Sequence, residues 1–175
     1  MFAQAASFLT VLVASATALC SSTTVSVFNN CTQQVDPAFT PQVLLGGVPT
    51  GGFPLAAHLT QVVTFPANYS GRAWGRTGCD AQGVCATGQC FTGGENCTSP
   101  APAGPTLAQF TINGFSSLDF FNPTSGEGFN LPVTIKPGSG CSTTPVSCTA
   151  ANNVGPGCGA TSTCPTGVGY TIQFC

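Results

Sequence analysis

Cysteine is the residue type with the widest chemistry in this sequence, and four of the eleven cysteines fall within residues 71–97, GRAWGRTGCDAQGVCATGQCFTGGENC. They form two close pairs, Cys79 with Cys85 and Cys90 with Cys97. Clustered cysteines serve either as metal ligands or as disulfides. Zinc ligands usually come as C-x2-4-C pairs, often with histidine, and the single histidine, His58, lies outside this stretch. The spacing therefore favours local disulfide clips, and we expect no metal site and no cofactor.

Charged side chains are too scarce to support several classes of function. The chain carries three basic and five acidic residues, a formal net charge of −2, and only 5% charged residues. Nucleic acid calls for a basic partner surface, so the composition argues against it and against steering to a membrane. His58 has no Ser-His-Asp or Cys-His arrangement around it, and we expect it at the surface.

The first twenty residues are typical of a secretory signal peptide. A short apolar run is followed by small residues, and it is too short to span a membrane. Cleavage fits after Ala18 or after Cys20, and the second site is favoured because it leaves an even ten cysteines. Ten cysteines in a secreted chain predict an oxidising compartment and a disulfide framework. We expect residues 21–175 to form one secreted, monomeric domain.

Short β-branched or alternating segments predict an all-β sandwich or barrel with no helix outside the signal peptide. The candidate strands are residues 23–28, 43–45, 61–65, 72–76, 107–112, 118–121, 129–135 and 170–174. Residues 137–169 are rich in glycine, serine, threonine, proline and cysteine, and they contain almost no large apolar residues. We expect a disulfide-tied loop region there, with a cysteine pairing that spacing alone leaves open.

A glycine- and cysteine-rich motif, Gly-Val-Cys-Ala-Thr-Gly-Gln-Cys, stands at residues 83–90. The segments RAWGRT, TLAQF, LDF, GFNLP and YTIQFC accompany it, at residues 72–77, 106–110, 118–120, 128–132 and 170–175. In order and spacing, over residues 24–175, these segments resemble the thaumatin-like family of secreted plant, fungal and animal proteins. The family's motif usually has an aspartate where Gln89 stands.

The resemblance implies the small, ten-cysteine type of this family: a flattened antiparallel β-sandwich with a reduced disulfide-tied loop region beside it. It also implies the pairs Cys31–Cys175, Cys79–Cys85, Cys90–Cys97, Cys141–Cys164 and Cys148–Cys158. The implied role is pathogenesis-related defence against fungi, or remodelling of the cell wall, by an extracellular or wall-bound protein.

Larger family members have an acidic cleft that is linked to binding, and in some members to hydrolysing, β-1,3-glucan. Its one arginine and first aspartate match Arg72 and Asp119 of this sequence. Gln109 and Asn122 stand where the glutamate and the second aspartate are expected, and Ala160 stands at the third aspartate position. The resemblance therefore implies a cleft that has lost most of its carboxylates.

This loss bears on catalysis. Glycoside hydrolysis normally needs two carboxyl groups, about 5 Å apart for retention and roughly 6.5–9.5 Å apart for inversion. Amides cannot donate an acid proton, so Asp119 would need a second acid as a catalytic partner. Glu127 is the best candidate, against the alternative that it is a solvated turn residue. Arg72 also has an alternative role, a structural ion pair with Asp119.

Carbohydrate binding survives these replacements better than catalysis does. Amides hydrogen-bond sugar hydroxyls, and aromatic faces pack on pyranose rings. Phe121 is the aromatic candidate, with Phe115 and Phe120 nearby, although most phenylalanines of a sandwich belong to its core. Trp74 is expected in the core, with the arginines of its strand on the opposite face.

Three segments match the N-glycosylation pattern, at Asn30, Asn68 and Asn96. Two of them contain a cysteine, so Asn68 is the predicted acceptor.

Three functions remain in competition. The first is a secreted β-1,3-glucan-binding protein, and the second is a weak endo-β-1,3-glucanase that uses Asp119 and Glu127. The third is a secreted interaction or inhibitor module that uses the disulfide-tied loops and the proline-rich residues 99–102. We expect binding rather than catalysis.

Overall fold

The computed structural model describes residues 22–100 and 103–175, so the predicted signal peptide lies outside the described residues. The described chain contains eleven strands and one short 3-10 turn, Phe115–Ser117. The strands are β1 Thr23–Asn29, β2 Asp36–Leu45, β3 Val48–Gly52, β4 Thr60–Phe65, β5 Ser70–Arg76, β6 Leu107–Thr111, β7 Leu118–Thr124, β8 Val133–Pro137, β9 Val146–Cys148, β10 Ser162–Pro165 and β11 Tyr170–Phe174. No helix among these residues has the length and hydrophobicity to cross a membrane.

The strands form two layers, as predicted for an all-β sandwich. Their hydrogen-bonded order is β10-β7-β6-β5-β2-β4-β1-β11-β8-β9, with β3 added to β2. The strands β10 to β2 of this order form one half and β4 to β9 the other. Among the described strands, the two halves are hydrogen-bonded where Leu44 of β2 pairs with Thr64 of β4. Phe121 of β7 and Tyr170 of β11 are distant in the order, yet their ring centroids are 5.2 Å apart. The sheet therefore curls over itself and encloses one core.

Alternation along the strands builds that core. In β1 and β11 every second residue is buried, and the residues between them are half-buried or exposed. Aromatic contacts cross between the layers: Phe110 of β6 lies 5.3 Å from Tyr170 of β11 and 5.3 Å from Phe65 of β4, measured between ring centroids. Each such pair contributes about 0.5–1.5 kcal/mol beyond the area that it buries.

Five disulfides stabilise the fold, which has few charged residues available for ion pairs. They are Cys31–Cys175, Cys79–Cys85, Cys90–Cys97, Cys141–Cys164 and Cys148–Cys158, the pairs that the resemblance implies. The first bridge joins residues 144 positions apart, beside the parallel pairing of β1 with β11. In the chain-entropy account, closing so long a loop is worth roughly 4–5 kcal/mol.

The strands missed by the sequence pattern lie at edges or contain proline. The predicted segment 43–45 is only the end of β2, whose first part contains Pro37 and Pro41. The predicted segment 129–135 becomes a strand only at Val133, after Pro132. Residues 137–169 contain β9 and β10, which add to the sheet through backbone pairing rather than through an apolar pattern.

Candidate functional site

A cleft of about 370 Å³ lies on the outer face of the layer that contains β5, β6 and β7. The strand register explains which side chains meet there. Arg72 of β5 pairs with Gln109 of β6, and Gln109 pairs in turn with Asn122 of β7. Directly paired residues have Cβ atoms about 4.5–5.5 Å apart, so these three side chains stand in one row across the sheet.

A second row of cleft residues lies two positions away along each strand, on the same face. Ser70 of β5 pairs with Thr111 of β6, which pairs with Phe120 of β7. Thr161, just before β10, also lines the cleft, together with Gly71 and with Phe110, whose ring is buried in the core. The cleft therefore combines one guanidinium, two amides, three hydroxyls and one aromatic ring.

The polar groups of the first row are incompletely paired. Asn122 Nδ2 donates to Gln109 Oε1 at 3.3 Å. Gln109 Nε2 and Asn122 Oδ1 have no partner among residues 22–100 and 103–175. Over the same residues, the Arg72 guanidinium makes no ion pair and donates no hydrogen bond. Donors and an acceptor thus face the open cleft.

Phe120, rather than the predicted Phe121, is the aromatic ring of the cleft. Phe120 is half-buried and lines the cleft. Gly114 lies behind it, where an added Cβ would be 3.1 Å from the Phe120 ring. Phe121 is only 1% exposed and its ring lies 6.2 Å from that of Phe110, so it belongs to the core. Phe115 is 84% exposed on the 3-10 turn.

Asp119 also lies on the core side of β7. Its side chain is fully buried, and its carboxylate accepts hydrogen bonds from the Asn113 backbone N–H (2.8 Å), the Thr166 hydroxyl (2.8 Å) and the Tyr170 hydroxyl (2.9 Å). Burial, and then the charge of Asp119, raise the pKa of Tyr170. The tyrosine hydroxyl therefore keeps its proton and donates a hydrogen bond to the carboxylate. This position corrects two predictions: Asp119 does not line the cleft, and Arg72 is not its partner.

The physical reason is the two-residue period of a strand. Along β7 burial alternates strictly, with Asp119 and Phe121 buried while Phe120 and Asn122 are only half-buried. Residues three positions apart point to opposite faces, so Asp119 and Asn122 cannot share a cleft. The two-residue period can be read from the sequence, and it places Phe120 on the same face of β7 as Asn122.

Glu127, the predicted second acid, lies exposed in the turn after β7 and does not line the cleft. Ala160 stands next to Thr161, which does line it.

At its other end, the same face of the sheet is covered by the clip segment, residues 77–100. Trp74 and Arg76 lie beneath it on the same side of β5 as Arg72, which corrects the prediction that the tryptophan and the arginines face opposite ways. Trp74 is fully buried against Cys90 and Cys97, and its indole N–H donates to Gly88 O at 2.7 Å. A second, smaller core therefore lies outside the main one.

Arg76 fastens the clip segment to the sheet. Its guanidinium is fully buried and donates to the backbone carbonyls of Asp36 (3.1 Å), Gly94 (2.9 Å) and Glu95 (2.9 Å). It also forms an ion pair with the Glu95 carboxylate at 2.5 Å. Four of the five N–H groups of this guanidinium are therefore bonded inside the protein.

Three of the five acids, Asp36, Asp80 and Glu95, line a neighbouring cavity of about 360 Å³. Burial raises the pKa of Glu95; the charge of Arg76 opposes that shift, and the charge of Asp36 adds to it. The Glu95 carboxylate is already paired with Arg76, which holds it against the sheet. This arrangement suits fastening the segment better than acid-base chemistry on a sugar.

Ligand atoms of Asp36, Cys79 and Cys85 lie within 4.8 Å of one another. The two sulfurs are bonded to each other, so they offer no thiolate to a metal ion.

The three candidate glycosylation sites differ in how their side chains are used. Asn30 Nδ2 donates to Cys175 O, and Asn96 Oδ1 accepts from Gln42 Nε2 at 3.1 Å. Asn68 is exposed in the turn between β4 and β5, where its Oδ1 accepts from Asn113 Nδ2 at 2.8 Å.

The structure defines a class of protein: a small, disulfide-rich β-sandwich that carries a polar cleft on one outer face. The Thaumatin family model matches residues 29–164, and the chain belongs to that family. It is 37% identical over 165 residues to thaumatin-like pathogenesis-related protein 2 of Avena sativa, covering 89% of this chain and 88% of that protein. The chain is thus a member of the thaumatin-like, pathogenesis-related defence family.

Other relatives carry names that concern carbohydrates. The chain is 37% identical over 122 residues to a glucan endo-1,3-beta-glucosidase of Prunus avium, covering 67% of this chain and 50% of that protein. Among solved structures, a thaumatin-like xylanase inhibitor matches with a TM-score of 0.65 and 27% identity, covering 86% of this chain and 98% of the inhibitor. A protein elicitor from Magnaporthe oryzae, with a TM-score of 0.51 and 16% identity, shows the same fold.

Many plant relatives are longer than this chain. It spans 50% of the Prunus avium glucosidase, 54% of thaumatin-like protein 2 of Prunus persica and 20% of a PR5-like receptor kinase of Arabidopsis thaliana.

Proposed function

We propose that this protein is secreted, acts in defence or in cell-wall remodelling, and binds β-1,3-glucan in the cleft on β5, β6 and β7 without hydrolysing it. The observation that carries the proposal is the row Arg72, Gln109 and Asn122, whose free donors and acceptor stand beside the Phe120 ring. Sugar recognition uses such a combination, because hydroxyls need directed hydrogen bonds and a pyranose face packs on an aromatic face.

The size of the cleft agrees with this role. Its volume of about 370 Å³ falls within the roughly 300–1,000 Å³ typical of small-ligand sites. Because the rows run across adjacent strands, the binding groups are fixed by the sheet itself. A site on strands is held more precisely than a site on loops.

The lining of the cleft supports binding rather than catalysis. The residues that line it include no carboxylic acid. Asp119 is buried on the other face of β7, and Glu127 lies in an exposed turn. Without a paired acid and base, the two-carboxylate mechanism has no groups at this cleft.

Retention on insoluble β-1,3-glucan tests the binding proposal. We expect the wild-type protein to be retained and the double variant Gln109→Leu, Asn122→Leu to lose at least about tenfold in affinity, because leucine cannot pair with sugar hydroxyls. Gln61→Leu, on β4 and outside the cleft, is the matched control and should bind as the wild type does. Equal retention of the double variant and the wild type would refute the assignment of the cleft.

Release of reducing ends from soluble β-1,3-glucan tests the catalytic alternative that the Prunus avium relative's name suggests. We expect no release by the wild type. Activity that survives in Asp119→Asn but disappears in Glu127→Gln would instead make Glu127 a catalytic acid.

The similarity to a xylanase inhibitor favours a second candidate function, inhibition of a glycoside hydrolase. The clip segment offers exposed apolar side chains for a protein partner, Phe91 at 74% exposed and Val84 at 59%. Part of the proline-rich segment 99–102 lies outside the described residues. If the chain is an inhibitor, xylanase activity should fall when it is added, and Phe91→Ser should relieve the inhibition while leaving glucan retention unchanged.

Secretion, a monomeric state and a glycan at Asn68 belong to the same proposal. The exposed turn position of Asn68 supports it as the acceptor. Mass spectrometry of the secreted protein, before and after enzymatic removal of N-linked glycans, tests the glycan and also locates the mature N-terminus.

A further inference from the structure

Arg72 is the one charged residue among those that line the cleft. We propose that its guanidinium forms a carboxylate subsite, so that the cleft prefers polysaccharides that contain uronic acid to neutral ones. The proposal rests on the proposed function of the cleft and names its ligand class more narrowly.

The position of Arg72 suits an external anion. It is half-buried on β5, between Thr40 of β2 and Gln109 of β6 in the strand register. The Thr40 hydroxyl is already occupied, since it donates to Ser99 O at 2.9 Å. A guanidinium presents its N–H groups as a planar fork that matches the two oxygens of a carboxylate, and Gln109 Nε2 provides a further donor beside it.

Acids of the described chain are committed elsewhere. Glu95 lies in the clip segment and pairs with Arg76, with Asp36 nearby. Asp119 is buried on the other face of β7 with three donors of its own. Asp80 accepts from the backbone N–H groups of Gln82 and Val84, both at 2.9 Å. Glu127 is exposed in a turn, and neither of these two acids lines the cleft. An anion that neutralises Arg72 must therefore come from the ligand.

A neutral sugar would satisfy Arg72 less well. The guanidinium is charged in either case, but a carboxylate accepts two parallel N–H···O bonds from the fork and carries the opposite charge, whereas a sugar hydroxyl does neither. Since Arg72 is half-buried rather than enclosed, water screens part of this gain. We expect a preference of about fivefold for the carboxylate at low ionic strength, and neutral glucan should still bind through the two amides and Phe120.

The test compares galacturonic acid oligomers with their methyl esters, which share the backbone but carry no charge. Affinities of both are measured by titration calorimetry at low and at high salt, and retention on neutral β-1,3-glucan is measured on the same preparations. The variants are Arg72→Met, which removes the fork, and Arg72→Lys, which keeps the charge without the fork. Lys136→Met is the control for net charge, because Lys136 bonds to Gln173 Oε1 at 2.6 Å, outside the cleft.

The expected result is a preference for the acid that falls at high salt, disappears in Arg72→Met, weakens in Arg72→Lys and persists in Lys136→Met. Equal affinity of acid and ester for the wild type, or a preference that survives in Arg72→Met, overturns the proposal. Neutral glucan binding separates the two proposals. Retention on glucan without an acid preference leaves only the proposed function, and acid binding without retention on glucan leaves only the carboxylate subsite.

Discussion

Arg72 and Arg76 lie four positions apart on one face of β5, but one is exposed to the cleft and the other is buried. Arg76 is fully buried beneath the clip segment, where it bonds three carbonyls and the Glu95 carboxylate. Arg72 stands beyond the edge of that cover and makes no ion pair with any described residue. The difference shows that the segment over the strand, rather than the strand itself, decides whether an arginine fastens the fold or faces a ligand.

The same contrast appears on β7 between Asp119 and Asn122. Asp119 points into the core and organises Asn113, Thr166 and Tyr170 around its carboxylate. Asn122 points into the cleft with a free acceptor. Each of the two strands therefore carries one polar residue that stabilises the fold, Arg76 or Asp119, and another that faces the cleft, Arg72 or Asn122.

Arg76→Met should give the largest effect, because it leaves the Glu95 carboxylate and three carbonyls without their donor. A buried polar group left without its partner costs about 1–3 kcal/mol, so removing the donor of these carbonyls should lower the free energy of unfolding by about 3 kcal/mol. Chemical denaturation of Arg76→Met beside Arg72→Met measures it. Equal destabilisation by the two substitutions would remove the distinction between a fastening arginine and a free one.

Asp119→Asn should come next, with a loss of about 2 kcal/mol in the free energy of unfolding, because an amide places an N–H₂ group against donors that need an acceptor. Retention on β-1,3-glucan should not change. If Asp119→Asn abolished retention at a temperature where the variant is fully folded, the buried acid would act on the cleft after all.

Glu95 should make stability depend on pH. Burial, the largest cause, raises the pKa of Glu95 above its ordinary value of 4.5, so the folded state binds this proton more tightly than the unfolded chain does. Its contribution to stability is therefore present below pH 4.5 and falls as the pH rises through the raised value.

Glu95→Gln imitates the protonated acid, so its melting temperature should match that of the wild type near pH 4 and exceed it by about 2 °C at pH 7. Melting curves across this range measure the difference. If the melting temperature of the wild type instead rose relative to that of Glu95→Gln as the pH increased, the Arg76 charge would lower the pKa of Glu95 more than burial raises it.

Arg72→Met should have the smallest effect on stability, within about 0.5 kcal/mol, because surface substitutions that break no contact rarely change more. Its effect should appear in binding instead. A loss of stability comparable with that of Arg76→Met would mean that Arg72 is a structural residue.

The sequence alone determined the fold class, because alternation, glycine and proline content and cysteine spacing act locally along the chain. It also brought Arg72, Gln109 and Asn122 together, through the resemblance to the family. The face of β7 was readable as well, since a two-residue period separates Asp119 from Asn122.

Tertiary structure decided the rest. The burial of Arg76 and the exposure of Arg72 depend on how far the clip segment extends over β5, and no local pattern encodes that distance. The hydrogen bond from Arg76 Nε to Asp36 O likewise joins residues 40 positions apart. The edge strands β9 and β10 form through backbone pairing with β8 and β7, which carries little side-chain signal.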